Sequence, residues 1–114
     1  MASWSAALEN VDMTLRVEEK ESGRHLHISI EGNFTFGLYR EFLDAVDQCG
    51  VSARLVTIDL EKTDYIDSAA LGLMIQAEHK LSSCKTMLRV RKGSIVDEIL
   101  MVTNFEKLFK IEAA

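Results

Sequence analysis

The chain has 114 residues, of which 47% are hydrophobic and 27% charged, and its formal net charge is −5. This length fits one domain with a single core, and this composition argues against a disordered chain. An acidic protein repels phosphate backbones, so nucleic-acid binding is not expected, and no window approaches the roughly 18 apolar residues of a membrane span.

The cysteines and the N-terminus indicate where the protein resides. Cys49 and Cys84 are too few for a disulfide framework, so both are predicted to be reduced. The first ten residues, "MASWSAALEN", have neither a basic segment nor a long apolar core, and they do not resemble a signal peptide. We therefore predict a soluble cytoplasmic protein without membrane insertion.

Two strands are predicted in the N-terminal part. Residues 1–10 are interpreted as a loosely held lead-in. Residues 11–19 alternate apolar and polar side chains, and residues 24–32 do so again after a short turn. Such neighbours pair as an antiparallel hairpin.

The remaining chain alternates between helical and strand patterns. Apolar residues recur every three or four positions in the helical segments, and the run "RLVTIDL" is apolar enough for a central strand. In chain order we predict a helix at 36–50, a strand at 54–60, a helix at 68–82, a strand at 85–91, a helix at 94–103 and a strand at 108–112.

The predicted fold class is α/β. The order β-β-α-β-α-β-α-β gives a single-domain mixed β-sheet with helices packed on it, spanning residues 11–114. The later strands should be parallel because right-handed crossovers connect them.

The segment "YIDSAALG" places a serine where a strand and loop lead into a helix. Asp67 or Ser68 could cap the helix, since both are ordinary N-cap residues. The same helix end presents free N–H groups, which tolerate a phosphate on the serine. This loop is already acidic, with Asp59, Glu61, Asp64 and Asp67. A phosphate adds about −1.5 to −2 charge at pH 7, so phosphorylation would repel and sterically block a docked partner.

The helix at 68–82 carries two apolar lines. One is the predicted core stripe, Ala70, Leu73, Met74, Ala77 and Leu81. The other combines Ser68, Leu71, Gly72, Ile75 and His79. Either the helix lies deep and both lines are covered, or the second line is a small partner-binding surface. Gly72 weakens a helix, and close approach of another backbone would explain its presence.

The stretch "LVTIDLEKTDYIDSAALGLMIQAEHKL" resembles the signature of STAS domains, the family of anti-sigma factor antagonists. Together with the ending "NFEKLFKI", the resemblance covers roughly residues 11–112, so 11–114 is expected to be one STAS-like domain. It implies that Ser68 is the phosphorylated serine, with Asp67 and Asp59 as supporting residues. Ala69 and Ala70 stand where many members have Ser-Gly, which leaves Ser68 as the only hydroxyl in the segment.

The resemblance also implies a partner switch without enzymatic activity, cofactor or metal. The unphosphorylated protein binds an anti-sigma factor that is also a serine kinase with a histidine-kinase-like ATPase domain. Phosphorylation releases this partner, and a PP2C-type phosphatase restores binding. The expected partner-binding residues are Asp64, Ala69, Leu71, Gly72, Ile75 and His79. The alternative within the family is a non-phosphorylated accessory subunit of a lipid-transporting ABC complex or another signalling assembly.

Other chemistry fits the sequence less well. Ser68 lacks a G-x-S-x-G elbow, and His79 lies three turns away, too far to act as its base. A phosphoaspartate receiver needs an acidic pair at the end of its first strand, whereas Glu18 and Glu19 lie far out on the predicted hairpin. His25 and His27 share one strand face but have no third metal ligand, so we predict that this face is solvated.

Overall fold

The computed structural model describes residues 3–7, 13–21, 24–49 and 53–114. These residues form seven strands, three α-helices and two short 3-10 helices. The strands are β1 (Ser3–Ala7), β2 (Met13–Lys20), β3 (His25–Phe34), β4 (Leu55–Asp59), β5 (Thr63–Ile66), β6 (Lys85–Val90) and β7 (Lys110–Ala113). The helices are α1 (Tyr39–Cys49), α2 (Ser68–Lys80) and α3 (Ile95–Val102), with 3-10 turns at Phe36–Leu38 and Phe105–Lys107.

The predicted mixed sheet is confirmed. Its strand order is β1-β2-β3-β4-β6-β7, with β5 pairing the end of β3. β2 and β3 are antiparallel, whereas β3, β4, β6 and β7 run parallel, as predicted from the crossovers. β4 lies between β3 and β6, and its middle residues are buried, as expected of a central strand.

Two strands were missing from the sequence prediction. β1 falls inside the predicted lead-in, and it pairs antiparallel with β2. Its sequence, "SWSAA", has little strand propensity, so pairing with a distant segment determines its conformation. β5 falls in the segment that was predicted to be a loop, and it continues the sheet beside Gly32–Phe34 after β4 has ended.

All three helices lie on one face of the sheet. The connections from β3 to β4, from β4 to β6 and from β6 to β7 advance in the same direction, and right-handed crossovers then keep the helices together. A single hydrophobic core lies between these helices and the sheet. The fully buried Ile28, Ile58 and Leu88 belong to it, one from each of three neighbouring parallel strands.

Within the described residues no helix covers the opposite face of the sheet, and we call it the open face. Its side chains follow from the alternation along each strand and from the strand register. They include Arg16, His25, His27, Ser29, Thr57, Asp59, Arg89 and Glu112.

Within the described part of the chain, no helix has the length and apolar character needed to cross a membrane.

Candidate functional site

The start of α2 is fixed by the strand that precedes it. Ile66, the last residue of β5, pairs with Phe34 of β3, and the Asp67 amide donates to the Phe34 carbonyl at 3.3 Å. Ile66 and Phe34 are both buried in the core. The sheet therefore holds the first turn of α2 in a defined position.

Asp67 is the N-cap of α2. Its backbone is extended, and its Oδ1 accepts a hydrogen bond from the Ala70 amide at 2.8 Å. Of the two residues that could cap this helix, the structure selects Asp67. Ser68 becomes the first helical residue and is exposed, so its hydroxyl is accessible and is not needed for the cap.

No histidine lies near the Ser68 hydroxyl. His79 is in the last turn of α2, about 16 Å along the helix at 1.5 Å per residue. His25 and His27 are on the open face of the sheet, away from the helices. None of the three histidines is therefore placed to act as a general base for Ser68.

The two lines on α2 differ in burial. The predicted core stripe is at most 4% exposed at every one of its residues, namely Ala70, Leu73, Met74, Ala77 and Leu81. On the second line, Ser68, Gly72, Ile75 and His79 are exposed, whereas Leu71 is half-buried against the core. Ile75 is 38% exposed although it is a large aliphatic residue. The helix is therefore covered on one side only.

The remaining predicted contact residues flank this exposed line. Ala69 is half-buried beside Ser68, and Asp64 is exposed on β5. We call Ser68, Leu71, Gly72 and Ile75 the α2 surface. It is a small apolar strip with the serine at one end and acidic side chains nearby.

Gly72 is not required by the fold of this chain. A Cβ built at this position meets no atom within 4 Å, so the space above it is open. A glycine inside a helix destabilises it by roughly 0.5–1 kcal/mol relative to alanine. An approaching partner backbone is a physical reason for a glycine here.

We expect Gly72→Ala to separate stability from binding. The added methyl should raise the free energy of unfolding by about 0.5–1 kcal/mol and weaken partner binding several-fold. Urea denaturation measures the first quantity, and titration calorimetry with the anti-sigma factor that the family resemblance implies measures the second. Gln76→Ala, also exposed on α2, is the matched control, and equal binding by both variants would contradict a close approach at Gly72.

Asp59 is positioned by the open face. Its Oδ2 accepts from His27 Nε2 at 2.9 Å, and its Oδ1 accepts from the Glu61 amide at 2.9 Å. Burial raises the pKa of Asp59, but the hydrogen bonds from His27 and Glu61 and the charges of His27 and Arg89 outweigh it, so the pKa lies below its ordinary value. Asp59 therefore supports the loop after β4, whereas Asp67 is the carboxylate directly beside Ser68.

The prediction of a solvated face for His25 and His27 is wrong. His27 is only 8% exposed, and His25 Nε2 lies 2.9 Å from Thr57 Oγ1. The period-two alternation places both residues on the correct face, but neighbouring strands cover them. His27 is diagonal to Asp59 across the β3–β4 pair, a relation that only the register defines. His27 thus holds the Asp59 carboxylate through a hydrogen bond that the sequence pattern did not predict.

The His27–Asp59 pair predicts a loss of stability in acid. The pKa of Asp59 is lowered in the folded protein, so its contribution is present above the ordinary aspartate pKa and is lost as the pH falls through the lowered value. Burial and the neighbouring His27 and Lys20 likewise lower the pKa of His25, so protonation of His25 disfavours the fold below the ordinary histidine pKa.

We expect Asp59→Asn to lower the free energy of unfolding at neutral pH by about 1–2 kcal/mol. The difference from the wild type should shrink in strong acid, where the wild-type carboxylate is protonated as well. Urea denaturation followed by circular dichroism across acidic and neutral pH measures this. Asp64→Asn, an exposed aspartate, is the control, and parallel pH profiles for wild type and Asp59→Asn would contradict the expectation.

Comparisons with known proteins agree on one family. A family model described as the STAS domain matches residues 16–114. A STAS-domain containing protein of Pseudomonas aeruginosa strain UCBPP-PA14 is 32% identical over 108 residues, which cover 87% of this chain and 99% of that protein.

Solved structures share the fold at low identity. An anti-sigma factor antagonist from Mycobacterium paratuberculosis superposes with a TM-score of 0.77 at 16% identity, covering 94% of this chain and 90% of the other. SpoIIAA in its unphosphorylated form gives a TM-score of 0.68 at 14% identity and covers 88% of each chain. The phosphorylated form of SpoIIAA, from Bacillus, gives 0.61 at 14% identity, covering 88% and 90%.

Proposed function

The chain belongs to the STAS domain family, and we propose that it is an anti-sigma factor antagonist controlled by phosphorylation of Ser68. In this proposal the unphosphorylated chain binds an anti-sigma factor that is also its serine kinase. The phosphorylated chain releases that partner, and a PP2C-type phosphatase restores binding. The chain itself catalyses no reaction and acts in the cytoplasm as a binding module.

One observation carries the proposal: an exposed serine begins α2 while the residue before it caps the helix. Asp67 satisfies the Ala70 amide, so a phosphate on Ser68 leaves the cap in place. The free N–H groups and the positive end of the helix dipole tolerate that phosphate. The modification can therefore change the surface without unfolding the domain.

The switch follows from charge. Ser68 lies beside Asp67, and Asp64 is exposed on the preceding strand, so the surroundings are already negative. A phosphate adds about −1.5 to −2 charge at neutral pH and occupies volume directly beside the α2 surface. A regulator docked on Leu71, Gly72 and Ile75 would meet both repulsion and a steric block. The phosphorylated and unphosphorylated states thus differ in their affinity for the same partner, as a switch requires.

Intact mass measurement and phosphosite mapping of the protein isolated from its own host test the proposal. We expect a population that carries one phosphate, located on Ser68. Ser82 and Ser83 are exposed and serve as internal controls for nonspecific modification. A chain that remains unphosphorylated under all growth conditions while bound to subunits of a transport ATPase would instead identify a constitutive accessory subunit.

A further inference from the structure

Two exposed aromatic residues lie at the beginning of α1. The side chains of Phe36 and Tyr39 are 63% and 43% exposed, and their rings stack with centroids 5.2 Å apart at an interplanar angle of 25°. Between them Leu38 is fully buried in the core. The turn thus directs Leu38 inward and leaves both rings in water, an arrangement that is unfavourable for the isolated chain.

The turn that carries the rings is held in place. The Gly37 amide donates to Thr35 Oγ1 at 3.3 Å, which caps the short 3-10 helix. A Cβ at Gly37 would lie 2.5 Å from Met13 Cε, so the turn packs closely on β2. The aromatic pair is consequently presented by a fixed piece of backbone, which lowers the entropic cost of binding.

The aromatic pair lies at the same end of the molecule as Ser68. Phe34, just before the turn, accepts the hydrogen bond from the Asp67 amide. Asp47 lies near the C-terminus of α1 and Lys80 near the C-terminus of α2, and the two form an ion pair at 2.8 Å. This contact shows that the two helices run side by side in the same direction. The N-termini of both helices therefore lie at the same end of the sheet, where the parallel strands finish.

Within Tyr39–Gln48, the part of α1 whose burial is described, apolar exposure is confined to this end. Further along the helix its exposed residues are polar or charged, namely Arg40, Asp44, Asp47 and Gln48. The exposed aromatic patch therefore lies at the end of α1 that is close to the start of α2, where Phe34 and Asp67 are hydrogen-bonded. Aromatic residues are also the side chains that most often dominate binding energy at interfaces.

We propose that Phe36 and Tyr39 form a second anchor for the anti-sigma factor kinase that docks on the α2 surface. This inference rests on the proposed function. The partner should offer an apolar pocket for the stacked rings, bordered by lysine or arginine side chains that face Asp64 and Asp67. The aromatic anchor carries no phosphate, so it gives the partner affinity that is independent of the modification and keeps it close to Ser68.

The test uses the anti-sigma factor kinases encoded by the host genome, each purified and titrated into the unphosphorylated chain by calorimetry. We expect Phe36→Ser and Tyr39→Ser each to weaken binding by about tenfold or more. Val102→Ser is the control, since Val102 is 78% exposed but lies at the C-terminal end of α3. Urea midpoints near that of the wild type show that each variant is folded.

The outcomes separate this inference from the proposed function. Weaker binding by both aromatic variants with unchanged binding by Val102→Ser supports the second anchor. Wild-type affinity in both folded aromatic variants, with binding lost in Ser68→Glu, overturns the anchor and leaves the switch intact. If the wild-type chain binds none of these kinases, the proposed function fails and the anchor fails with it.

Discussion

Ser68→Glu is expected to weaken binding of the anti-sigma factor by well over tenfold, equivalent to about 1.4 kcal/mol or more. Ser68→Asp should act in the same direction. Ser68→Ala removes the acceptor hydroxyl without adding charge, so it should hold the chain in its binding-competent form. Titration calorimetry of the three variants and the wild type against the purified regulator measures these differences.

The weaker binding expected of Ser68→Glu should result from changed contacts with the partner and not from a less stable domain. Ser68 is exposed at the first position of α2, where a negative side chain interacts favourably with the helix dipole. The free energy of unfolding should therefore stay within about 0.5 kcal/mol of the wild-type value. Ser82→Glu adds the same charge at an exposed site beyond the end of α2 and is the matched control. Equal affinities for wild type, Ser68→Ala and Ser68→Glu would refute the switch.

Ile75→Glu should abolish most partner binding while the domain stays folded. The Ile75 side chain is 38% exposed two turns after Ser68, so a partner on the α2 surface would bury it. A carboxylate there would be desolvated in an apolar contact, which costs at least 1–3 kcal/mol, or roughly 5- to 150-fold in affinity. Calorimetry gives the affinity, and circular dichroism during urea denaturation gives the stability.

Gln76→Glu is the control for Ile75→Glu because it places the same charge on the next residue, which is also exposed. We expect that variant to bind within a few-fold of wild type. Loss of folding in Ile75→Glu would show instead that Ile75 belongs to the core. Retained binding in a folded Ile75→Glu protein would place the interface elsewhere.

Most of the elements could be predicted because their patterns are local. Alternation in residues 11–19 and 24–32 identified β2 and β3, and the apolar spacing on α2 identified the stripe of Ala70, Met74 and Ala77 that the structure buries. The start of the third helix was also predicted within one residue, and Ser94 caps it by accepting a hydrogen bond from the Asp97 amide at 3.1 Å. Such signals depend on residues within one or two turns of each other.

What could not be predicted depends on partners that are distant in the chain. β1 has a weak strand sequence and β5 is only four residues long, and both form because β2 and β3 offer free hydrogen-bonding edges. His27 forms its side-chain hydrogen bond with Asp59, which is 32 positions away in the chain. The stacking of Phe36 on Tyr39 and the exposure of both rings follow from the conformation of the turn between them, which no local pattern predicts.

The sequence alone determined the fold class, the helix that carries Ser68 and the two lines along that helix. The spacing of apolar residues and the candidate cap residues act within one element, so each element can be predicted from its own stretch of sequence. Only the tertiary structure decided that Asp67 caps the helix and that Ile75 remains uncovered. It also decided that the turn at Phe36–Leu38 lies at the same end of the molecule as Ser68. Those outcomes depend on which strands pair and which face the helices cover, because exposure is a property of the assembled chain rather than of any segment.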